Sequence, residues 1–529
     1  MRRDHLLLIT LDDDVLQAIF DEFNYILRYD NKVPVIRPRL LPLSCTCKRL
    51  REMLAPSIFK QVTNQRPFVR VSEANEFWPT TIWKFIETVS INDEQWSMNF
   101  ETIAFIIPQL PNLKRVSFRM DQPPPKMLLN AIALAGISIL ELADVRLDGP
   151  ALTEIFSHTK LTHLISTVGR RRPMDLNAAD ELKHTSDILS IVSKTLVYLK
   201  ISGDLVSFET LARLDWPCLC TLTLIDHIPY GKVIPLPTVI ARMPCLRNLH
   251  YNFGAVSTGR RIPPIIFWYD GQGSAPLAVT HPHLKSLSLS NIYPAEHTLD
   301  HLPQSLRSLR ILALRERTRQ DLSGPWYPFS PLREEDAFRI IAKAAFLPDL
   351  VDLALTLQGL PTPAVIEAVA KSCPGLRFLE ISQGDFELHC AESPYSIESL
   401  AEPLACLHHL HELRISVGFG SQLTSSLYRG LKDKTPLYRR MEMAGSIFAQ
   451  KLTNLNTISF SFGNDGCYYR FQEYVVWCRY SIVSGVDGKP PVALADLECL
   501  YETSSEPDNN LCGFASKRLP LNATDGSMS

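Results

Sequence analysis

The feature that most constrains this chain is a short phrase, Leu-x-x-Leu-x-Leu, written cleanly at Leu219-Cys220-Thr221-Leu222-Thr223-Leu224 and repeated along most of its length. It recurs at Leu284, Leu287 and Leu289; at Leu350, Leu353 and Leu355; at Leu376, Leu379 and Ile381; and at Leu410, Leu413 and Ile415. With Ile, Val, Phe or Tyr admitted to the apolar slots, further copies begin at Leu113, Ile137, Leu161, Leu196, Leu246, Leu306 and Leu455. Leu161 heads the weakest copy, because Ser166 fills its third slot. The last two apolar residues of each phrase are two apart, and a strand sends such residues to one face. Each phrase therefore encodes a short strand with one buried edge. A lone strand cannot hide that edge, so neighbouring copies have to stack and bury a continuous ladder.

About twelve copies lie between Leu113 and Phe460, with anchors roughly 22 to 45 residues apart, the spacing of a leucine-rich repeat lengthened by insertions. Six copies carry a proline two residues before the anchor, at Pro111, Pro217, Pro244, Pro282, Pro348 and Pro374. Proline ends a helix and biases the preceding residue to an extended shape, so it marks the turn from a returning helix into the next strand. The fold class is α/β: a leucine-rich-repeat solenoid of about twelve strand-helix units with a small helical domain in front.

At 529 residues the chain is too long for one compact core, which a solenoid accommodates. Its formal charge of -2 argues against nucleic acid and against an anionic membrane surface, both of which require a basic face. No stretch approaches the roughly twenty apolar residues of a membrane span, and the apolar run at Leu6 to Ile9 meets Asp12, Asp13 and Asp14 too soon for a signal peptide. A cytoplasmic or nuclear protein is expected. The 12 cysteines are spread without the density of a secreted framework and read as reduced, mostly buried thiols. Cys45/Cys47 and Cys218/Cys220 lack the second pair that a zinc site needs.

Enzyme signatures are missing: no phosphate-binding G-x-x-x-x-G-K-[ST], no G-x-G-x-x-G, no H-E-x-x-H and no G-x-S-x-G occurs. His408, His409 and His411 cluster at one strand phrase, but without an acidic pair to complete a metal site. The expectation is a binding protein without cofactor, metal or catalytic residues.

The N-terminal stretch reads differently. Val15, Leu16, Ile19, Phe20 and Phe23 form the stripe of an amphipathic helix whose first turn holds three aspartates, favoured there by the helix dipole. A second helical segment, with Leu43, Cys47, Leu50 and Leu54 on one face, is expected to stop at Pro56, followed by Ile58, Phe59 and Val62. A cap closing the open end of the repeat array accounts for such a unit. The line Leu11-Asp-Asp-Asp-Val15-Leu16-Gln-Ala-Ile19-Phe20, followed by Leu43-Ser44-Cys-Thr-Cys47-Lys48-Arg49-Leu50-Arg51, also resembles an F-box, with Asp12 where that family has proline and Leu50 where it has tryptophan. Together with the repeats, the arrangement is similar to the F-box and leucine-rich-repeat proteins of fungi. The resemblance implies docking on the Skp adaptor of a Skp-cullin-F-box ubiquitin ligase, with Val15, Leu16, Ile19, Phe20, Leu43 and Leu50 shared between the box's own core and the adaptor interface. The repeats would then hold a protein substrate for ubiquitin transfer. The alternative is a repeat scaffold whose helices only cap it.

The expected layout is a box-like helical domain at 1–65, a linker of degenerate first repeats at 66–109, the solenoid at 110–465, a C-terminal cap at 466–503 and a disordered tail at 504–529. The linker holds Trp78, Trp83, Trp96, Phe85, Phe100 and Phe105, read as packing, with no clear copy of the phrase. Four insertions, near 170–183, 252–278, 316–335 and 418–441, lengthen the repeats, and the first carries the basic run Arg170-Arg171-Arg172-Pro173, read as a solvated loop. Recognition is assigned to the middle residue of each Leu-x-Leu, which points away from the core into the concave face. These residues are Ser117, Glu141, Lys200, Thr223, His250, Ser288, Arg310, Ala354, Glu380, Arg414 and Ser459. Of these, Lys200, His250, Arg310, Glu380 and Arg414 are the candidate substrate contacts. Their mixed signs suit a protein partner better than a polyanion.

Overall fold

A computed structural model describes residues 48–63, 78–92, 100–120, 122–147, 156, 159–168, 178–226, 228–229, 234–253, 281–292, 297–313, 332–384, 392–419, 435–462, 476–483, 490–495 and 502–503. The chain divides into two compact units, Met1–Met53 with Thr503–Ser529, and Leu54–Glu502. Val15, Leu16, Ile19, Phe20 and Leu43, the basic run at 170–173, most of the four insertions and the tail at 504–529 lie outside the described residues.

The second unit is built on one sheet. Its strands are β1 (Gln61–Thr63), β2 (Thr88–Asn92), β3 (Arg115–Arg119), β4 (Ile139–Ala143), β5 (His163–Thr167), β6 (Tyr198–Ser202), β7 (Thr221–Asp226), β8 (Asn248–Phe253), β9 (Ser286–Ser290), β10 (Ser308–Leu312), β11 (Asp352–Leu357), β12 (Phe378–Gln383), β13 (Glu412–Ser416) and β14 (Thr457–Phe462). They pair in chain order, every pair parallel. The twelve phrases of the sequence fall on β3 to β14, each anchor two residues ahead of its strand. Their apolar slots are buried throughout; Leu196, Leu199 and Ile201 are fully hidden, and so are Leu284, Leu287 and Leu289. The architecture is a leucine-rich-repeat solenoid.

Nine of the twelve anchors are delivered by a tight turn. The amide of Leu219 donates to the Trp216 carbonyl at 3.4 Å, that of Leu350 to Leu347 at 3.2 Å, and that of Leu376 to Cys373 at 3.3 Å. The prolines two residues before the anchors therefore occupy the second position of a β-turn, where their fixed φ fits. The residue after the anchor joins one repeat to the next. The Lys60 carbonyl accepts from Glu87 and Thr88, Glu87 accepts from Lys114 and Arg115, and the doubled bond recurs without a break to the His411 carbonyl, which accepts from Asn456 and Thr457.

Parallel neighbours need a long return path, usually a helix. Here the returns are short: α2 (Phe100–Ile106), α3 (Lys126–Ala135), α4 (Ala178–Val192), α5 (Phe208–Arg213), α6 (Leu236–Ile240), α7 (Glu334–Ala344), α8 (Pro363–Ser372), α9 (Ile397–Ala401) and α10 (Thr435–Lys451) follow α1 (Lys48–Phe59). Three of the described starts are capped by a serine or threonine side chain, those of α5, α8 and α9. Ser207 accepts from the Thr210 amide at 3.0 Å, and Thr362, just before Pro363, accepts from Val365 at 3.2 Å. No described helix is long and apolar enough to cross a membrane.

Two expectations need correcting. The helix does not stop at Pro56: α1 runs through it to Phe59. Proline forfeits the bond to the carbonyl four residues back, that of Glu52, which is an exposed residue. The stretch at 66–109 does contain the phrase, as Ile86, Val89 and Ile91, fully or almost fully buried around β2. Upstream of it, Val62 on β1 lies opposite Val89, so the parallel ladder begins before the expected linker. At the far end the ladder changes direction: β15 (Val476–Val483) is antiparallel to β14, and β16 (Val492–Ala495) antiparallel to β15. Trp477 and Tyr480 on β15 are buried.

Candidate recognition face

The middle residues of the phrases form one row on the side of the sheet away from the core. In register order it reads Ser90, Ser117, Glu141, Ile165, Lys200, Thr223, His250, Ser288, Arg310, Ala354, Glu380, Arg414 and Ser459, each the direct neighbour of the next. Every middle residue named from the sequence is on it. Thr223, Ser288, Ala354 and Ser459 are nonetheless buried, because short side chains lie below the reach of long neighbours.

Three of the five candidate contacts converge. Arg310 donates to Asp352 Oδ2 at 2.9 Å, and Arg414 donates to Glu412 Oε1 through Nε at 3.0 Å and Nη2 at 2.9 Å. Both guanidinium groups stand over the ring of Phe378, at 5.0 Å and 5.4 Å from its centroid, as cations do over an aromatic face. Glu380 lies beside them, 2% exposed and 4.0 Å from Arg414. Burial pushes its carboxyl above the ordinary range, against the pull of Arg414 and Arg310. Burial works to lower the Arg310 guanidinium, but Asp352 and Glu380 outweigh it and hold it above its usual value. The group is thus two cations, three carboxylates and one aromatic ring on four neighbouring strands. Lys200 and His250 lie farther along the row, and His250 is two strand spacings, about 10 Å, from Arg310.

The sequence reasoning missed half of this group. Asp352, Phe378 and Glu412 open their strands, two residues before the middle residue, so the same alternation puts them on the same face. A second set of such openers lies near the start of the row, where Arg115 pairs with Glu141 and His163 stacks on Tyr198 at 5.6 Å. Burial, with Arg115 nearby, holds the His163 imidazole below its usual range.

A further unread signal sits seven residues after three anchors. Asp144, Asp226 and Asn291 adopt left-handed backbone, with φ of 65°, 65° and 50°, a conformation that Asp and Asn tolerate better than other side chains. Ser202 donates to Asp226 at 2.6 Å, and Asn291 donates to the Phe253 carbonyl at 2.8 Å, tying each strand exit to the repeat before it.

Of the expected adaptor contacts only Leu50 is described. It is 3% exposed. His411 Nδ1 is 3.1 Å from the Asn454 carbonyl, and no cluster of His, Cys, Asp and Glu suited to a metal occurs among the described residues.

No protein-family model matches the sequence, and no curated protein does. Among solved structures, the chain is similar to the yeast Rad7 and Elc1 complex at 13% identity, covering 70% of this chain and 93% of that one, with a TM-score of 0.31. It is also similar to the TLR13-ssRNA13 complex, at 14% identity, 64% and 56% coverage and a TM-score of 0.27. A third likeness is to the Drosophila Toll-Spatzle complex, at 12% identity, 64% and 44% coverage and a TM-score of 0.30. In these last two the chain spans less than two thirds of the other's length.

Proposed function

We propose that this chain is a non-catalytic recognition protein: the outer face of its sheet holds a protein partner, and its N-terminal helices dock on the Skp adaptor of a Skp-cullin-F-box ubiquitin ligase. The observation that carries the first part is the unbroken row of middle residues, with the Arg310, Asp352, Phe378, Glu380, Glu412 and Arg414 group on the same face. Opposed charges around an aromatic ring complement a protein surface bearing both signs, whereas a polyanion calls for a uniformly basic groove. The second part rests on the F-box resemblance of residues 11–20 and 43–51. On that reading the partner is a substrate for ubiquitin transfer carried out by the ligase, in the cytoplasm or the nucleus.

A repeat scaffold with a helical cap is favoured by one observation. The chain directly after α1 is already a repeat, since the Lys60 carbonyl makes the same doubled bond as its successors. Pull-down with the full chain and with a Leu16→Asp/Phe20→Asp variant separates the two. Skp adaptor and cullin captured by the parent and lost from the folded variant support the ligase reading. No adaptor on the folded parent leaves the scaffold.

A further inference from the structure

Two turns of the same build lead into β7 and β8. Trp216-Pro217-Cys218-Leu219 closes with the Leu219 amide on the Trp216 carbonyl at 3.4 Å, and Met243-Pro244-Cys245-Leu246 closes with the Leu246 amide on the Met243 carbonyl at 3.1 Å. Proline stands second and cysteine third in both. The turns are bonded to each other on either side of the cysteines. Before them, the Trp216 amide donates to the Arg242 carbonyl at 3.0 Å, and Arg242 pairs with Asp215 at 2.9 Å. After them, the Arg247 and Asn248 amides donate to the Cys220 carbonyl at 2.9 and 3.0 Å.

The strand register that follows sets Thr221 opposite Asn248, and carried back through the turns it sets Cys218 opposite Cys245. Adjacent strands lie about 4.7–4.9 Å apart. Kept through the turns, that spacing would bring the two α-carbons inside the roughly 4.4–6.8 Å window that a disulfide spans. Both thiols are free and exposed. The nearby Cys220 is half-buried, with its Sγ 3.5 Å from the Cys218 carbonyl, and the residue in register with it is Arg247.

We propose that Cys218 and Cys245 are an oxidative modification site, closing to a disulfide that clips one repeat to the next in the presence of a small disulfide oxidant such as oxidised glutathione. One protein thiolate attacks the glutathione disulfide and releases one glutathione thiol. The other thiolate then displaces the second glutathione, so two protein thiols give up two protons and two electrons and the two glutathiones take them up. Parallel in-register positions hold the β-carbons close to the strand spacing, wider than the mean of about 3.8 Å in a relaxed bridge. The bridge is therefore strained, and thiol reductants open it readily.

The test is to incubate the full chain with oxidised glutathione, block the remaining thiols, digest with trypsin and map linked peptides by mass. The expected result is an intramolecular link between the Cys218 and Cys245 peptides that disappears in Cys218→Ser and in Cys245→Ser, persists in Cys220→Ser and is released by dithiothreitol. Separate glutathione adducts on Cys218 and Cys245 without a link overturn the proposal, as does a link that survives Cys218→Ser or occurs only in covalent dimers.

Discussion

Glu380 is a carboxyl almost without solvent on the face that would meet a partner, and its titration is coupled to folding. Burial holds it above the ordinary carboxylate range, so between that range and its raised value the folded chain binds a proton that the unfolded chain has released. Stability from this group is present in full below the ordinary carboxylate range, about pH 4, and is lost as pH rises through the raised value. Urea titrations of the parent and of Glu380→Gln, run from about pH 4 to 8, should show the parent losing stability relative to the variant as pH rises. Parallel curves would remove Glu380 from the account. At the recognition surface itself, Arg310→Glu with Arg414→Glu is expected to abolish partner binding while leaving any adaptor binding intact, read by pull-down of the same protein. The row that carries these residues was legible because alternation in a strand depends only on spacing. Asp352, Phe378 and Glu412 were not, since they stand outside the Leu-x-Leu frame although the same alternation governs them.

Among the described glycines, Gly445 has the closest neighbours, where α10 packs on the end of the sheet. A β-carbon on Gly445 would sit 2.7 Å from that of Ala493 on β16 and 3.2 Å from Ile458 Cγ2 on β14. Replacing glycine with alanine inside a helix ordinarily gains about 1 kcal/mol. Here the clash is with a β-carbon, which cannot swing aside, so overpacking wins and Gly445→Ala is expected to cost about 1–3 kcal/mol. Denaturant melts of Gly445→Ala and of Gly445→Ala with Ala493→Gly check this, the second restoring most of the loss. Elements differed in how clearly the sequence announced them. β3 to β14 were marked by leucines and prolines, whereas β2 spells the phrase with Ile86, Val89 and Ile91 amid Trp78, Trp83 and Phe85. The helix through Pro56 and the reversal at β15 were hidden for a different reason. One bond lost at an exposed residue does not end a helix, and strand direction is set by the partner rather than by local composition.

From β1 to β14, pairing runs from neighbour to neighbour, which makes stability approximately one-dimensional. Leu249 on β8 is fully buried, with Leu222 and Leu287 beside it in register. Leu249→Ala should remove about 2–5 kcal/mol locally. Hydrogen exchange should then quicken in β7 to β9 while β3, β4, β12 and β13 keep their protection; uniform loss along the chain would show a single cooperative block instead. The doubled carbonyl bonds set the pitch of this array through main chain alone. Leu284 and Leu306 are 22 residues apart, and Leu410 and Leu455 are 45, yet each interval advances the array by one strand. The arrangement works as a ring binder does, where sheets of any thickness clip onto rings at a constant interval. Length can be added on the return side of a repeat without moving a single side chain out of line on the opposite face.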